Sequence, residues 1–162
     1  MPDPIDPQTL AAWVDKLAIQ ELILAYSDAA TRGDWATFAT LWAPDAVWEV
    51  GAPIGSRVEG AEAIIEVAST NVDREDFLVQ MPHGSLVRLV DDDHATATTM
   101  IHALARKGDE HSVTNYGIYY DELVRIDGGW RFSRRLLQPV YSETEILPGV
   151  VPLTRDELKR RR

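Results

Sequence analysis

The side chain in this sequence best suited to move a proton is His83, in the stretch Val79-Gln80-Met81-Pro82-His83-Gly84. An imidazole titrates near working pH, so it can accept a proton and return it. Pro82 and Gly84 on either side predict a local irregularity in a strand, such as a bulge that aims the ring. The plainer alternative is a buried histidine satisfied by a backbone carbonyl. Tyr26 lies on the apolar stripe of a helix, where its phenol can donate to a substrate oxygen and stabilise developing negative charge, or else serve as a core aromatic with a bonded hydroxyl. Asn115, Tyr119 and Asp121 share one strand parity and face together. His102 sits mid-strand in Thr98-Thr99-Met100-Ile101-His102-Ala103, with its face open. His94 and His111 flank turns and are expected in water. Trp42, Trp48 and Phe77 supply either pocket wall or core.

The elements that must position these residues can be read from periodicity. Leu17 to Arg32 carries Ile19, Leu22, Ile23, Tyr26 and Ala30 at helical spacing. On that helix Asp28 lies away from the stripe, which predicts a solvated carboxylate. Gly33 breaks the pattern, Asp34 is placed to cap a second helix over 35–43, and Pro44-Asp45 stops it. A short strand over 46–50, a Gly- and Pro-rich loop over 51–60 and a helix over 61–70 follow. From Phe77 the period shortens towards two, predicting strands over 77–90, 95–106, 111–126 and 130–141. Asp91-Asp92-Asp93, Lys107-Gly108-Asp109 and Asp127-Gly128-Gly129 form the turns between them. Such short links require antiparallel neighbours. Helices followed by an antiparallel meander define an α+β domain with helices on one face of a curved sheet. Residues 1–141 are expected to form one domain, with 142–162 a Pro-interrupted arm ending in Lys159-Arg160-Arg161-Arg162.

Composition narrows the function. The chain has 162 residues, 16 basic against 26 acidic, for a net charge of −10. Its sequence pI is near 4.7, so nucleic acid and anionic membrane surfaces are poor partners. With no Cys, disulfides, thiolate nucleophiles and Cys-type metal sites are excluded. Met1-Pro2-Asp3-Pro4-Ile5-Asp6 lacks the basic start and apolar middle of a signal peptide, and no apolar run is long enough to span a membrane. A cytoplasmic location is expected. Motifs for zinc, calcium, dinucleotides, Walker-type phosphate binding and a nucleophile elbow are all missing, so neither metal nor cofactor is expected.

Four phrases, in order, resemble one family: Ala18-Ile19-Gln20-Glu21-Leu22, Gly33-Asp34-Trp35, Leu41-Trp42-Ala43-Pro44-Asp45-Ala46-Val47-Trp48 and Asp127-Gly128-Gly129-Trp130-Arg131-Phe132. Over residues 12–141 the chain is similar to the SnoaL-like branch of the nuclear-transport-factor-two-like superfamily. The resemblance implies a cystatin-like α+β barrel, a cone in which a curved antiparallel sheet wraps around helices and leaves an apolar cavity. It also implies cofactor-independent proton chemistry beside an activated carbon, as in scytalone dehydratase, a dehydrochlorinase, polyketide cyclases and ketosteroid isomerase. Dehydratase-like members place a His inside the cone as general base, which the resemblance carries to His83. The Asp that orients it falls on Thr31, so the usual dyad is incomplete. Tyr119 corresponds to a polar site position of scytalone dehydratase, and Asp121 to the late-strand Asp of polyketide cyclases.

The expected function is therefore a lyase or isomerase acting on a hydrophobic cyclic or aromatic small molecule. His83 would be the base, Tyr26 the oxygen donor, and Tyr119, Asn115, Thr31, Trp42, His102 and Asp121 the substrate contacts. The alternatives are a non-catalytic small-molecule carrier or association module, or an accessory subunit of a larger oxygenase. By the same resemblance a homodimer or homotrimer is expected, formed through the outer face of the sheet. Substrate identity, stereochemistry and the choice among elimination, isomerisation and retro-aldol cleavage stay open.

Overall fold

The computed structural model describes residues 5–108 and 110–160; the expectations placed on Met1 to Pro4, Asp109, Arg161 and Arg162 lie outside them. The first helix, α1, spans Pro7–Arg32 and begins ten residues earlier than periodicity predicts. Its start signal is local: Asp6 accepts the Thr9 backbone N–H at 2.9 Å and Pro7 occupies the first turn. It stops at Gly33, whose φ of 67° is the left-handed conformation that lets its N–H fold back onto Ala29 and Ala30 carbonyls. Asp34 caps α2 (Trp35–Ala39) by accepting from the Thr37 backbone N–H at 3.2 Å.

The second helix is shorter than expected. It closes at Ala39, and β1 (Trp42–Val50) takes Trp42 and Pro44 into the sheet. Then come β2 (Ser56–Glu59), α3 (Ala61–Asp73), β3 (Phe77–Leu89), β4 (His94–Lys107), β5 (His111–Ile126), β6 (Gly129–Glu143) and α4 (Arg155–Arg160).

The sheet has six strands in the order β2-β1-β6-β5-β4-β3. Its meander is antiparallel as predicted, but β1 pairs β6 in parallel, with Trp48 opposite Arg135. The sheet is therefore mixed. A parallel return needs a long connection, and the whole chain from the end of β1 to the start of β6 supplies it. The sheet is also open, with β2 and β3 at its edges.

Alternation along the strands separates the two faces. Ala95, Ala97, Thr99, Ile101 and Ala105 of β4, with Tyr119, Asp121 and Leu123 of β5, are buried on the inner face. There Ala95, Ala97, Ile101, Tyr119 and Leu123 join Ile19, Ile23, Tyr26 and Ala30 of α1 in one hydrophobic core. Leu86, Met100, Tyr116, Tyr120, Val140 and Tyr141 are exposed, and those whose pairing follows this alternation stand on the outer face.

Side chains of α1 stitch the β3 edge. Gln20 Nε2 donates to the Ser85 carbonyl at 3.1 Å, and the Gln80 backbone N–H donates to Thr31 Oγ1 at 3.2 Å. These bonds occupy groups that an edge strand otherwise leaves open. Beyond β6 the arm turns back across the ends of β3 to β5. The Arg106 guanidinium donates to the Leu147 and Gly149 carbonyls, both at 2.7 Å, and the Leu147 N–H donates to Ser112 Oγ. Further on, Arg155 reaches the Val72 carbonyl and Arg32 the Leu158 carbonyl, which ties α4 to the ends of α3 and α1.

Candidate functional site

The predicted site residues divide among three places. Tyr26, Tyr119, Asp121 and Trp42 fall within the core. Tyr26 is ringed by Phe38, Trp42, Tyr119 and Phe132, with centroids 5.0–5.9 Å away. Trp42 is thus core, and the Tyr26 hydroxyl meets the Tyr119 hydroxyl at 3.5 Å. Burial, with Tyr119 next in weight, pushes the Tyr26 phenol up from its ordinary value.

At the centre of this aromatic cluster lies Arg135, which sequence reasoning passed over. Its guanidinium carbon stands 3.8, 4.1 and 4.4 Å from the ring centroids of Tyr119, Tyr26 and Phe132, and Nη1 lies 3.5 Å from Asp121 Oδ2. Both side chains are fully buried. Among the described residues, neither carboxylate oxygen of Asp121 nor Nε, Nη1 or Nη2 of Arg135 has a hydrogen-bond partner. Burial raises the Asp121 carboxyl to about 6 against the opposing pull of Arg135. The pair is a direct cross-strand one, made possible by a register shift: Leu123 pairs Phe132 and Glu122 pairs Arg134, so Ser133 is extra. Counting by twos from Trp130 and Phe132 would have sent Arg134 inward; the bulge sends Arg135 there instead.

His83 stands elsewhere. Pro82 pairs Ile101 and Ser85 pairs Thr99, leaving His83 and Gly84 together opposite Met100. Gly84 has φ 105°, open to glycine and strained for other residues. The irregularity predicted from Pro82 and Gly84 is present, but it aims the ring outwards. His83 is exposed and lines an outer-face groove of about 300 Å³ with Leu86, Met100, Ile118 and Tyr120. The expectation that it projects into the interior is corrected here, and Pro82 takes the inner-facing position. His102 also lies on the outer side, stacked on Tyr116 at 4.2 Å and 9°. Asn115 Oδ1 accepts from Ser142 Oγ at 3.1 Å. It is four residues from Tyr119, ~13 Å along the strand at ~3.3 Å per residue. Asp28 is exposed and paired with Arg32 at 2.6 Å, as its place on α1 predicted.

The third place is a pocket of about 280 Å³ where the arm crosses the end of α1 and the start of β3. Thr31, Phe77, Leu78, Val79, Val151, Leu153 and Leu158 help to line it, and its ionisable residues are Asp76 and Arg155. Asp76 accepts the Gly108 N–H at 2.7 Å and keeps its side chain about half exposed. Arg155 uses Nη1 on the Val72 carbonyl and on Asp73. Both ionisable residues escaped sequence reasoning for one reason: they become neighbours only when the arm folds back, and nothing in local spacing announces that.

An apolar pocket between the end of α1, the start of β3 and the arm, set on an open mixed sheet carrying helices, places the chain in the α+β class. The chain belongs to the SnoaL-like domain family, whose model matches residues 12–136. No curated protein matches it in sequence. Among solved structures it is similar to a proposed scytalone dehydratase from Novosphingobium aromaticivorans, at 20% identity and TM-score 0.76, covering 90% of this chain and 97% of that one. It is also similar to the hexachlorocyclohexane dehydrochlorinase LinA-type3 from Novosphingobium barchaimii, at 22% identity and TM-score 0.77, covering 90% and 99%. A third likeness is to an NTF2-like protein with a cystatin-like fold from N. aromaticivorans, at 22% identity and TM-score 0.68, covering 85% and 92%. Among the described residues no helix is long and apolar enough to cross a membrane.

Proposed function

We propose that this chain is a cofactor-independent lyase or isomerase of the dehydratase type, acting on a hydrophobic cyclic or aromatic small molecule held beneath the C-terminal arm. The observation that carries the reading is the arm-covered pocket of about 280 Å³, apolar except for Thr31, Asp76 and Arg155. Its size lies just below the ~300–1,000 Å³ usual for ligand pockets, which suits a small ring compound. The dehydratase and dehydrochlorinase among the similar folds support the class of reaction.

In this reading the Asp76 carboxylate takes a proton from carbon next to a carbonyl. The electron pair moves into the carbonyl oxygen, which Arg155 stabilises. The pair then returns to form a carbon–carbon double bond as hydroxide leaves, and Asp76 gives up its proton to make water. In isomerisation the proton goes back to a different carbon. The test is a spectrophotometric screen of hydroxylated aromatic and polyketide-like compounds, followed by variants. Asp76→Asn is expected to lower kcat by ~10²–10⁴-fold, the usual worth of a general base, while His83→Ala leaves it unchanged. Turnover that survives Asp76→Asn, or vanishes in His83→Ala, overturns the assignment.

One observation favours a second reading, a non-catalytic carrier. Thr31 stands where the resemblance places the orienting carboxylate, and its hydroxyl is engaged by the Gln80 N–H at 3.2 Å. The carrier reading predicts binding without turnover, with affinity indifferent to Asp76→Asn.

A further inference from the structure

The outward side of α1 carries a second apolar face. Leu10, Trp13, Val14, Leu17 and Leu24 are 53–61% exposed, while Ile19, Leu22, Ile23 and Tyr26 bury the opposite side. A helix that is apolar on both sides ordinarily has both sides covered. Over 7–11 no residue of α1 is buried, and the N-terminal half is moored to the sheet through Asp15, which accepts from Trp130 Nε1 at 3.2 Å and pairs with Arg125 at 2.8 Å. That mooring holds the apolar stripe turned away from the body.

We propose that this stripe is the interface for a second copy of the chain, with two α1 helices packed antiparallel about Leu17. The spacing carries the choice of occupant. Leu10 and Leu24 lie seven residues before and after Leu17, two helical turns each way on one face. In an antiparallel pair Leu17 meets its own counterpart, Leu10 of one copy meets Leu24 of the other, and Glu21, the charged residue on this face, falls opposite Trp13, whose ring carries Lys16 Nζ at 5.0 Å. Such a stripe is complementary to itself, as a twofold interface requires and a foreign partner does not. The area agrees. Half-exposed side chains of this size present on the order of 500 Å² of apolar surface per copy, about the apolar share of the ~800 Å² a side of a standard interface. The contact is separate from the outer sheet face, and it does not depend on the proposed reaction.

The absence of cysteine makes the geometry directly testable. Under mild oxidation Leu17→Cys is expected to form a disulfide-linked dimer in high yield. Leu10→Cys and Leu24→Cys, slow to cross-link alone, should cross-link when mixed. By light scattering at ~50 μM, Leu17→Glu is expected to halve the mass of the wild-type assembly, whereas Met100→Glu on the outer sheet face leaves the α1 cross-links intact. Leu17 is exposed, so neither substitution disturbs the core. A monomeric wild type, a Leu17→Glu protein of unchanged mass, or Leu10→Cys and Leu24→Cys cross-linking no faster mixed than alone overturns the proposal.

Discussion

Asp121 is ionised at neutral pH at a cost. Its carboxyl is raised from 3.8 to about 6, chiefly by burial. A carboxyl whose folded value lies above its unfolded one adds stability that is complete below the unfolded value and lost as pH climbs through the folded value. The window is therefore about pH 4 to 7, and the loss is on the order of 3 kcal/mol, from ~2 units at ~1.4 kcal/mol each. Urea denaturation of the wild type and Asp121→Asn across that window should show the wild type weakening as pH rises while the variant stays nearly level. A wild-type profile parallel to that of the variant would contradict the assignment. Truncating the other partner acts more harshly. Arg135→Met leaves the carboxylate alone in the core, and removing one member of a buried pair typically costs ~3–5 kcal/mol. Asp121 could be read from its parity with Tyr119, but Arg135 could not, because one unpaired residue at Ser133 reverses the count.

Two bulges, more than any propensity, decide which strand side chains face inwards. The meander and its turns were legible from alternation and Asp/Gly clusters, since those signals are local. The facing of His83 was not, because Pro82 and Gly84 announce an irregularity without giving its sense. Gly84→Val tests the bulge: at φ 105° a branched side chain is strained, costing ~1–3 kcal/mol, read as a lower urea midpoint with an unchanged slope. The end of α2 was misplaced for a comparable reason. Trp35, Phe38, Leu41 and Trp42 keep helical spacing, yet Leu41 and Trp42 are buried where the chain enters β1, and the Leu41 carbonyl just before that strand accepts from the Phe132 backbone N–H at 2.9 Å. The arm is the element on which the proposed ligand pocket depends. A chain ended after Glu143 is expected to expose Phe77, Leu78 and Val79, raise dye binding by apolar surface, and lose affinity for ring compounds in a fluorescence titration.

For the molecule as a whole, family and general architecture follow from a few ordered phrases, whereas the site arises from contacts between distant segments. From β3 to β6 each strand pairs with the next in sequence, with bulges in the ladders but no long connection between them. β1 joins last in the spatial sense, through partners about 90 residues away, such as Trp42 with Phe132. Loop closure over that span is costly before it is rewarded. Pulsed hydrogen exchange during refolding should therefore protect amides of β4 and β5 before those of β1 and β2. Simultaneous protection would mean that the parallel pair forms with the meander.

The same parallel pair matters during synthesis. The amino-terminal part, including the indole of Trp42, leaves the ribosome long before β6, the parallel partner of β1, is translated. For that interval the nascent chain carries apolar surface beside β1 that is covered once β6 has been made, a natural station for a chaperone.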